Sequence, residues 1–328
     1  MTAPPLLELD RLSAHYVTGR GTRVVAAVDE VSLTMRAGET LGVVGESGSG
    51  KTTLALTILR LLPPAARIVS GAMRFEGEDL LAKSPTEMRR MRGKRIAMIL
   101  QDPMASLNPL FTIGDQVSEP VRVHEHATRR SARERAGALL RAVKIPAVGQ
   151  RLREYPHQMS GGMRQRIVGA IAISCEPGLL IADEPTTSLD VTIQAQYLKL
   201  LRDIQRERNL ALIFITHNLG IVARMCDSVA VMYAGRVIEQ GPVRQIFNAP
   251  THPYTRALIE SIPRLGEGPE RLTAIDGQPP DLSTQPRGCS FQARCPRVMD
   301  RCREEAPPPF QIGPSHSARC WLAAPGAP

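Results

Sequence analysis

The residues with the clearest chemical capacity form a glycine-rich segment near the N-terminus. Residues 45–52 have the sequence Gly-Glu-Ser-Gly-Ser-Gly-Lys-Thr, with four residues between Gly45 and Gly50. An apolar run typical of a buried strand, residues 41–44, precedes the segment, and a predicted helix over about 51–62 follows it. Strand, loop and helix in this order are the context that a phosphate-binding loop requires.

Such a loop binds the phosphates of a nucleotide. Glycines let backbone N–H groups turn toward phosphate oxygens, and the N-terminus of the helix adds positive potential. We expect Lys51 to reach the β- and γ-phosphates and the Thr52 hydroxyl to ligate Mg²⁺. A glycine turn that arose by chance is the alternative interpretation. The residues predicted to contact the nucleotide here are Gly45, Ser47, Gly48, Ser49, Gly50, Lys51, Thr52 and Thr53.

Two acidic residues end a second apolar run. Residues 179–182 are Leu-Leu-Ile-Ala, which predicts a buried strand, and Asp183 and Glu184 follow directly. Asp183 can hold Mg²⁺ through water, and Glu184 can act as the general base that polarises the attacking water. An ordinary solvated strand end is the alternative. With a phosphate loop upstream, we favour the catalytic interpretation.

A third segment, Ser160-Gly161-Gly162, precedes a predicted helix over about 163–174. Ser160 is typical of a helix N-cap, and the two glycines expose backbone at the helix N-terminus. This pattern predicts a second anion-binding site in the same chain. A structural cap without a ligand is the alternative.

Together, the three motifs resemble those of the nucleotide-binding subunits of ABC transporters, over about residues 6–245. The resemblance implies ATP and Mg²⁺ as ligands and ATP hydrolysis as the activity. It also implies that Ser160, Gly161 and Gly162 of one subunit close over the γ-phosphate held by another subunit, in a head-to-tail dimer. The partner in that dimer is a paralogous ATP-binding subunit or a second copy of this chain.

Four further positions match the family one by one. Gln101 matches the glutamine that ligates Mg²⁺ and links the core to the helical insert. His217 matches the histidine that contacts the γ-phosphate and, with the general base, orients the water. Asp190, in residues 188–190, matches the loop that crosses the dimer interface, and Tyr16 matches the aromatic residue that stacks on adenine. A polar strand end, a structural histidine and a core or strand-surface tyrosine are the alternatives at Gln101, His217 and Tyr16.

Two residues depart from the family pattern. Met159 replaces the usual leucine before Ser160, and Met163 stands where many members have glutamine. Neither change removes a phosphate contact, so we expect ATP hydrolysis to be retained.

Three longer segments resemble the importers of oligopeptides, dipeptides and nickel. These segments are residues 101–109, 154–166 and 251–258, and the branch-specific resemblance extends to Cys320. It implies a complex of a substrate-binding protein, two membrane subunits and two ATPase subunits. The surface around Gln101 and the helical insert would contact the membrane subunits. Peptides are the default cargo; nickel complexes, opines, glutathione and sugars are the alternatives.

Other patterns predict the elements that position these residues. The apolar runs 179–182 and 211–215 are typical of central parallel strands, and a helix over about 193–207 lies between them. Residues 229–239 have the pattern of a β-hairpin.

The predicted fold class is α/β: an ABC-type P-loop ATPase core with an antiparallel β subdomain and a helical insert, plus a small Cys-rich C-terminal segment. The ATP-binding domain covers residues 1–262, with the insert at about 103–159. A Pro-dense extension with little periodicity covers residues 263–328.

Four of the six cysteines lie in this extension, with the spacing C-x5-C-x6-C-x17-C. This is not the paired spacing of most zinc modules, although four thiolates can hold zinc or a [4Fe–4S] cluster. The family resemblance favours a [4Fe–4S] cluster, with Zn²⁺ and unligated thiols as the alternatives. The predicted ligands are Cys289, Cys295, Cys302 and Cys320.

The remaining cysteines and three nearby arginines have plainer interpretations. Cys175 and Cys226 lie in apolar helical contexts and are expected to be buried small side chains. Arg287, Arg294 and Arg301 flank the four C-terminal cysteines and either offset thiolate charge or stand exposed without a role.

Composition sets outer limits on the class of protein. The 328 residues include 41 Lys and Arg against 32 Asp and Glu, and 43% are hydrophobic, which excludes a chain disordered throughout. No apolar run approaches the roughly 20 residues of a membrane helix, and the N-terminus does not resemble a secretion signal. We therefore expect the protein to stay in the cytosol, and the resemblance to the importers implies a peripheral location at the cytoplasmic face of the membrane.

The formal net charge of +9 leaves one rival from another class, a soluble ABC ATPase that acts on nucleic acid. Such proteins usually carry two cassettes, or metal modules within the cassette, whereas the cysteines here follow a single cassette. Aromatic residues make up only 4% of the chain, which disfavours stacking on single strands. We therefore predict no nucleic-acid partner.

Overall fold

A computed structural model of the protein describes residues 4–19, 23–187, 189–262, 275–284 and 286–326. Within these ranges, no helix is long and apolar enough to cross a membrane.

The strands, in chain order, are β1 (Leu7–Thr18), β2 (Arg23–Met35), β3 (Thr40–Val44), β4 (Ala66–Phe75), β5 (Glu78–Asp79), β6 (Ile96–Ile99), β7 (Leu179–Asp183), β8 (Ala211–Ile215), β9 (Ser228–Tyr233), β10 (Arg236–Pro242), β11 (Phe310–Gly313) and β12 (His316–Ala318). The helices are α1 (Lys51–Ile58), α2 (Pro85–Met91), α3 (Pro103–Ser106), α4 (Ile113–Glu125), α5 (Arg129–Ala142), α6 (Val148–Arg151), α7 (Gly161–Ala172), α8 (Val191–Glu207), α9 (Leu219–Met225), α10 (Val243–Asn248), α11 (Pro253–Glu260) and α12 (Asp300–Glu304).

The chain divides into two compact units. Unit 1 contains residues 1–35, 40–81 and 214–328, and unit 2 contains residues 36–39 and 82–213. The chain passes from unit 2 back to unit 1 within β8.

Unit 1 contains an antiparallel sheet in the order β2-β1-β4-β5, in agreement with the predicted antiparallel β subdomain. It also contains strands in the order β11-β12-β10-β9-β3, in which β3 pairs with β9 in parallel. Every residue of β3 is buried. Burial on both faces explains why β3 is a continuous apolar run rather than an alternating one.

Two local predictions in unit 1 have different outcomes. The predicted hairpin is confirmed, since β9 and β10 pair antiparallel and Ala234 and Gly235 both have the positive φ, 50° and 82°, that a tight hairpin turn requires. The predicted helix after the phosphate loop is shorter than expected and ends at Ile58. Arg60 takes a left-handed φ of 51°, a conformation that ends helices.

The sequence predicts a small Cys-rich segment appended to the ATPase core, but the described part of the C-terminal extension packs into unit 1 instead. Phe291 lies in one buried cluster with Val44, Val231, Tyr233 and Tyr254. Its ring meets that of Tyr233 edge-on, with centroids 5.3 Å apart. In addition, β12 pairs with β10. Aromatic residues far apart in sequence thus supply a shared core that composition alone does not reveal.

Unit 2 contains strands in the order β8-β7-β6, and β6 and β7 are parallel. The helices α3 to α6 lie within the predicted helical insert at about 103–159. Thr112 and Thr128 cap α4 and α5, because each hydroxyl accepts a backbone N–H of the first turn.

Glu239 is a buried carboxylate in β10 of unit 1, with 1% of its surface exposed. Its Oε1 accepts the N–H of Thr251 at 2.8 Å and lies 2.9 Å from Nε2 of His316. Its Oε2 accepts the N–H of His252 at 3.0 Å. One side chain therefore ties β10 to the start of α11 and to β12.

We predict that Glu239→Ala lowers the free energy of unfolding by about 3–5 kcal/mol, because it leaves buried donors and an imidazole without their partner. Glu8→Gln weakens an exposed pair with Arg74, 3.7 Å away, and should cost about 0–1 kcal/mol as the matched control. Urea denaturation measures both variants. Equal losses would contradict this role of Glu239.

Candidate functional site

The phosphate loop of unit 1 depends on glycines at both of its ends. Gly45 and Gly50 have φ of 151° and 102°, in the region that disfavours other residues. A Cβ at Gly45 would collide with the carbonyl oxygen of Met232, and one at Gly50 would collide with that of Ala27. The neighbouring backbone thus approaches too closely for any side chain at these two positions.

Lys51 follows the last glycine of the loop, and its side chain folds back over the loop. Its side chain is buried, and Nζ donates to the carbonyl oxygens of Gly45 and Glu46, both at 2.8 Å, and to Oγ of Ser49 at 3.3 Å. The ammonium group and the N-terminus of α1 place positive charge at one point, the arrangement that binds phosphate.

Two further predicted residues lie in unit 1. The hydroxyl of Tyr16 on β1 is 3.5 Å from Oγ1 of Thr53 in α1, so the tyrosine lies beside the helix that follows the loop. His217 is exposed just beyond β8, and the preceding Thr216 donates its N–H to the carbonyl of Val43 in β3. Stacking of Tyr16 on adenine and contact of His217 with a phosphate remain predictions.

Unit 2 brings Gln101 and Glu184 together. They follow the adjacent parallel strands β6 and β7, whose register pairs Ile99 with Ala182. Nε2 of Gln101 donates to Oε2 of Glu184 at 3.0 Å, and the hydroxyl of Thr187 donates to the same oxygen at 3.0 Å. These contacts orient the carboxylate that is predicted to act as general base.

The backbone at Glu184 is strained, since this residue has a left-handed φ of 44°. Non-glycine residues in this conformation cost about 1–3 kcal/mol and cluster at functional sites. The preceding Asp183 is buried at the end of β7. Asp183 and Gln101 thus offer carboxylate and amide oxygens at one edge of the strands, a donor chemistry that fits Mg²⁺.

The Ser160-Gly161-Gly162 segment forms the N-terminus of α7. Oγ of Ser160 accepts the N–H of Met163 at 3.3 Å, so Ser160 is the predicted N-cap. A Cβ at Gly162 would lie 2.7 Å from Ile193, which indicates close helix packing, whereas nothing lies within 4 Å of a Cβ at Gly161. The exposed side of this helix end is therefore open to a ligand.

Asp190 caps α8, because its Oδ1 accepts the N–H groups of Thr192 and Ile193 at 3.1 and 3.0 Å. The cap explains why α8 begins at Val191, earlier than predicted. A role of Asp190 at a dimer interface remains a prediction, and Ser188 lies outside the described residues.

The predicted metal site at the C-terminal cysteines is wrong. Among the described residues, no group of three or more His, Cys, Asp or Glu side chains has an arrangement that could hold a metal ion. Burial raises the pKa of Cys289 to about 11 and that of Cys320 to about 12. The cavity lined by Cys289, Cys295, Cys302 and Cys320 has a volume of only about 10 Å³, room for one water at most. Neither a [4Fe–4S] cluster nor Zn²⁺ is supported.

The two cysteines outside the C-terminal extension and the three arginines within it lie in different surroundings. Cys175 is buried and Cys226 is half-buried, close to the expectation. Arg287 is exposed, and the guanidinium of Arg301 lies 3.6 Å from the centre of the Trp321 ring. Arg294 neither offsets thiolate charge nor stands exposed, since it pairs with a residue of the phosphate loop.

Two known protein families match parts of this chain. The ABC transporter family matches residues 28–187, and the oligopeptide/dipeptide transporter C-terminal region matches residues 238–302. The dipeptide transport ATP-binding protein DppD of Bacillus subtilis is 49% identical over 318 residues, covering 97% of this chain and 94% of that protein. This chain belongs to the ABC transporter family. The family predicted from the sequence motifs is therefore confirmed.

A second relative within the family is DppD of Escherichia coli, 45% identical over 315 residues and covering 96% of each protein. CbiO1 of Clostridium perfringens, part of the ABC transporter complex CbiONQ, has a TM-score of 0.64 and 28% identity over 75% of this chain and 92% of its own. The dimeric ATP-binding cassette MJ0796, bound to ADP and phosphate, has a TM-score of 0.65 and 23% identity over 73% and 99%. The ABC ATPase fold predicted from the sequence is confirmed.

Thr187 contacts the predicted general base, and nothing in its local sequence pattern predicts this contact. We predict that Thr187→Val lowers kcat for ATP hydrolysis about tenfold, since it removes a hydrogen bond to the charged carboxylate of Glu184. The KM for ATP should change little, because Thr187 contacts the predicted base and is not among the residues predicted to contact the nucleotide.

The matched control is Thr34→Val, the same chemical change at an exposed position of β2. Steady-state ATPase assays measure both variants. An unchanged kcat in Thr187→Val would show that the hydroxyl does not position Glu184.

Proposed function

We propose that the chain is the ATP-hydrolysing subunit that powers import of peptides or similar small solutes through an ABC transporter complex. The observation that carries the proposal is the similarity over nearly the whole chain to dipeptide transport ATP-binding proteins, which includes the oligopeptide/dipeptide transporter C-terminal region. The named relatives are transport proteins, and they do not support the alternative of an ATPase that acts on nucleic acid.

The nucleotide is held by the phosphate loop. Gly45, Ser47, Gly48, Ser49 and Gly50 supply backbone contacts to the phosphates, and Lys51, Thr52 and Thr53 add their side chains, while Tyr16 stacks on adenine. The fixed position of Lys51 within the loop supports this assignment.

Hydrolysis is assigned to the metal-binding and catalytic residues that the family resemblance implies. Thr52, Gln101 and Asp183 would hold Mg²⁺, which neutralises charge on the phosphates. Glu184 takes the proton of the attacking water, and His217 contacts the γ-phosphate. The hydrogen bonds from Gln101 and Thr187 to Glu184 support its role, because a base must be held in place to act.

A second ATP-binding subunit, a paralogue or another copy of this chain, completes the site in a head-to-tail dimer. Ser160, Gly161 and Gly162 of one subunit contact the γ-phosphate bound by its partner, and Asp190 lies at the interface. The exposure of Ser160 and Gly161 at the start of α7 supports the proposal, since a partner's nucleotide can approach them.

Unit 2 is proposed to contact two membrane subunits at the cytoplasmic face of the membrane, in a complex that also contains a substrate-binding protein. Leu100, Leu110, Phe111 and Tyr155 are exposed, with 80% of Leu110 accessible. Leu110 and Phe111 are consecutive in the chain, and neighbouring exposed apolar side chains are typical of a protein interface. The domain organisation proposed is an ATP-binding domain over 1–262, with the insert at about 103–159, and an extension over 263–328.

We predict that Glu184→Gln in the assembled transporter lowers ATP turnover about 100-fold or more, because an amide cannot take the proton of the attacking water. Binding of MgATP should be retained, and a closed dimer should accumulate. Dipeptide uptake by membrane vesicles should stop together with turnover.

The control is Glu207→Gln, which makes the same change at an exposed position near the end of α8. Turnover is measured by phosphate release, and uptake by radiolabelled dipeptide. Normal turnover in Glu184→Gln would refute the assignment of the base, and uptake that continues without turnover would refute the transport function.

A further inference from the structure

Glu46 is the second residue of the phosphate loop, and its carbonyl, its N–H and its carboxylate all form hydrogen bonds. Its carbonyl accepts a hydrogen bond from Nζ of Lys51 at 2.8 Å. Its N–H donates to the hydroxyl of Tyr254 at 2.9 Å. Its carboxylate forms two parallel bonds with Arg294, from NH1 to Oε2 at 2.8 Å and from NH2 to Oε1 at 3.0 Å. Two of these three partners belong to the C-terminal part of unit 1.

The side chain of Arg294 is buried and hydrogen-bonded on all sides of its guanidinium group. Its side chain is only 4% exposed. Beyond the two bonds to Glu46, Nε donates to the carbonyl of Asp276 at 2.9 Å, NH2 to that of Ile275 at 3.1 Å, and NH1 to the hydroxyl of Tyr233 at 3.3 Å. All five N–H donors of the guanidinium are therefore used, which fixes its orientation as well as its charge.

Tyr254 is also held in place by its surroundings. It lies in the buried cluster with Tyr233 and Phe291, and burial raises the pKa of its hydroxyl, which stays neutral. Its own N–H donates to Nδ1 of His252 at 3.1 Å. Burial lowers the pKa of His252 to about 3, so that ring is uncharged and able to accept.

The charge on Glu46 makes its pairing consequential. A carboxylate in a loop that binds a polyphosphate repels the ligand, and a buried or half-buried charge without a partner is costly. The bidentate bond from Arg294 neutralises that carboxylate and holds it in one direction. The contact with Arg294 therefore affects the electrostatic potential of the loop as well as its conformation.

From these contacts we propose that Arg294 is a positioning residue for nucleotide binding: the C-terminal region sets the charge and conformation of the phosphate loop through Glu46. The proposal rests on the proposed function, in which this loop binds ATP. Arg294 touches no reacting atom and acts only through Glu46.

The test is the Kd of MgATP for the full-length chain, measured by titration calorimetry. Arg294→Met removes the guanidinium and leaves the carboxylate of Glu46 uncompensated, so the Kd should rise about tenfold or more. Adding Glu46→Gln to Arg294→Met removes the uncompensated charge and should recover most of that loss. Arg287→Met deletes an exposed arginine of the same region and should leave the Kd unchanged.

Thermal melting without nucleotide reports on folding. If Arg294→Met does not fold, Arg294→Lys replaces it, since lysine keeps the charge and loses the paired bonds; its Kd should rise about threefold or more. An unchanged Kd in the folded variant overturns the proposal. Failure of Glu46→Gln to restore binding to a folded Arg294→Met also overturns it, because a merely structural arginine would not be rescued by a change in the loop. Wild-type protein that does not bind MgATP would refute the proposed function itself.

Discussion

The conformation of the peptide at Glu46 is the constraint on which the nucleotide site of unit 1 depends. Lys51 holds its carbonyl, Tyr254 its N–H and Arg294 its carboxylate. The flanking glycines let the loop turn so tightly that neighbouring backbone leaves no room for a side chain. The C-terminal region is therefore part of the nucleotide site's support, and its aromatic cluster serves the loop as well as the stability of the unit.

The parts of the site carried by consecutive residues could be predicted from the sequence. The phosphate loop, the acidic end of β7 and the cap at Ser160 each occupy a few adjacent positions, so spacing alone indicates their chemistry. The hairpin at Ala234 and Gly235 was predictable for the same reason, because its turn is two residues long. The α/β fold followed from short apolar runs separated by helical segments.

Contacts between distant residues could not be predicted. Arg294 and Glu46 are 248 positions apart, and only the folded chain brings them together. The contact of the Thr187 hydroxyl with Glu184 could not be predicted either, because it depends on how the chain turns after β7. The cysteine spacing gave the wrong answer, because it says nothing of how closely side chains converge. In the structure the four cysteines line a cavity of only about 10 Å³, and the described residues contain no group of three or more His, Cys, Asp or Glu side chains that could hold a metal ion.

Hydrogen–deuterium exchange at the amide of Glu46, in the full-length chain without nucleotide, tests most directly whether the C-terminal region holds the phosphate loop. Tyr254→Phe removes the acceptor of this N–H and keeps the aromatic ring in its cluster. The account predicts slow exchange in the wild type and exchange about tenfold faster or more in the variant. Equal rates in the two proteins would contradict it.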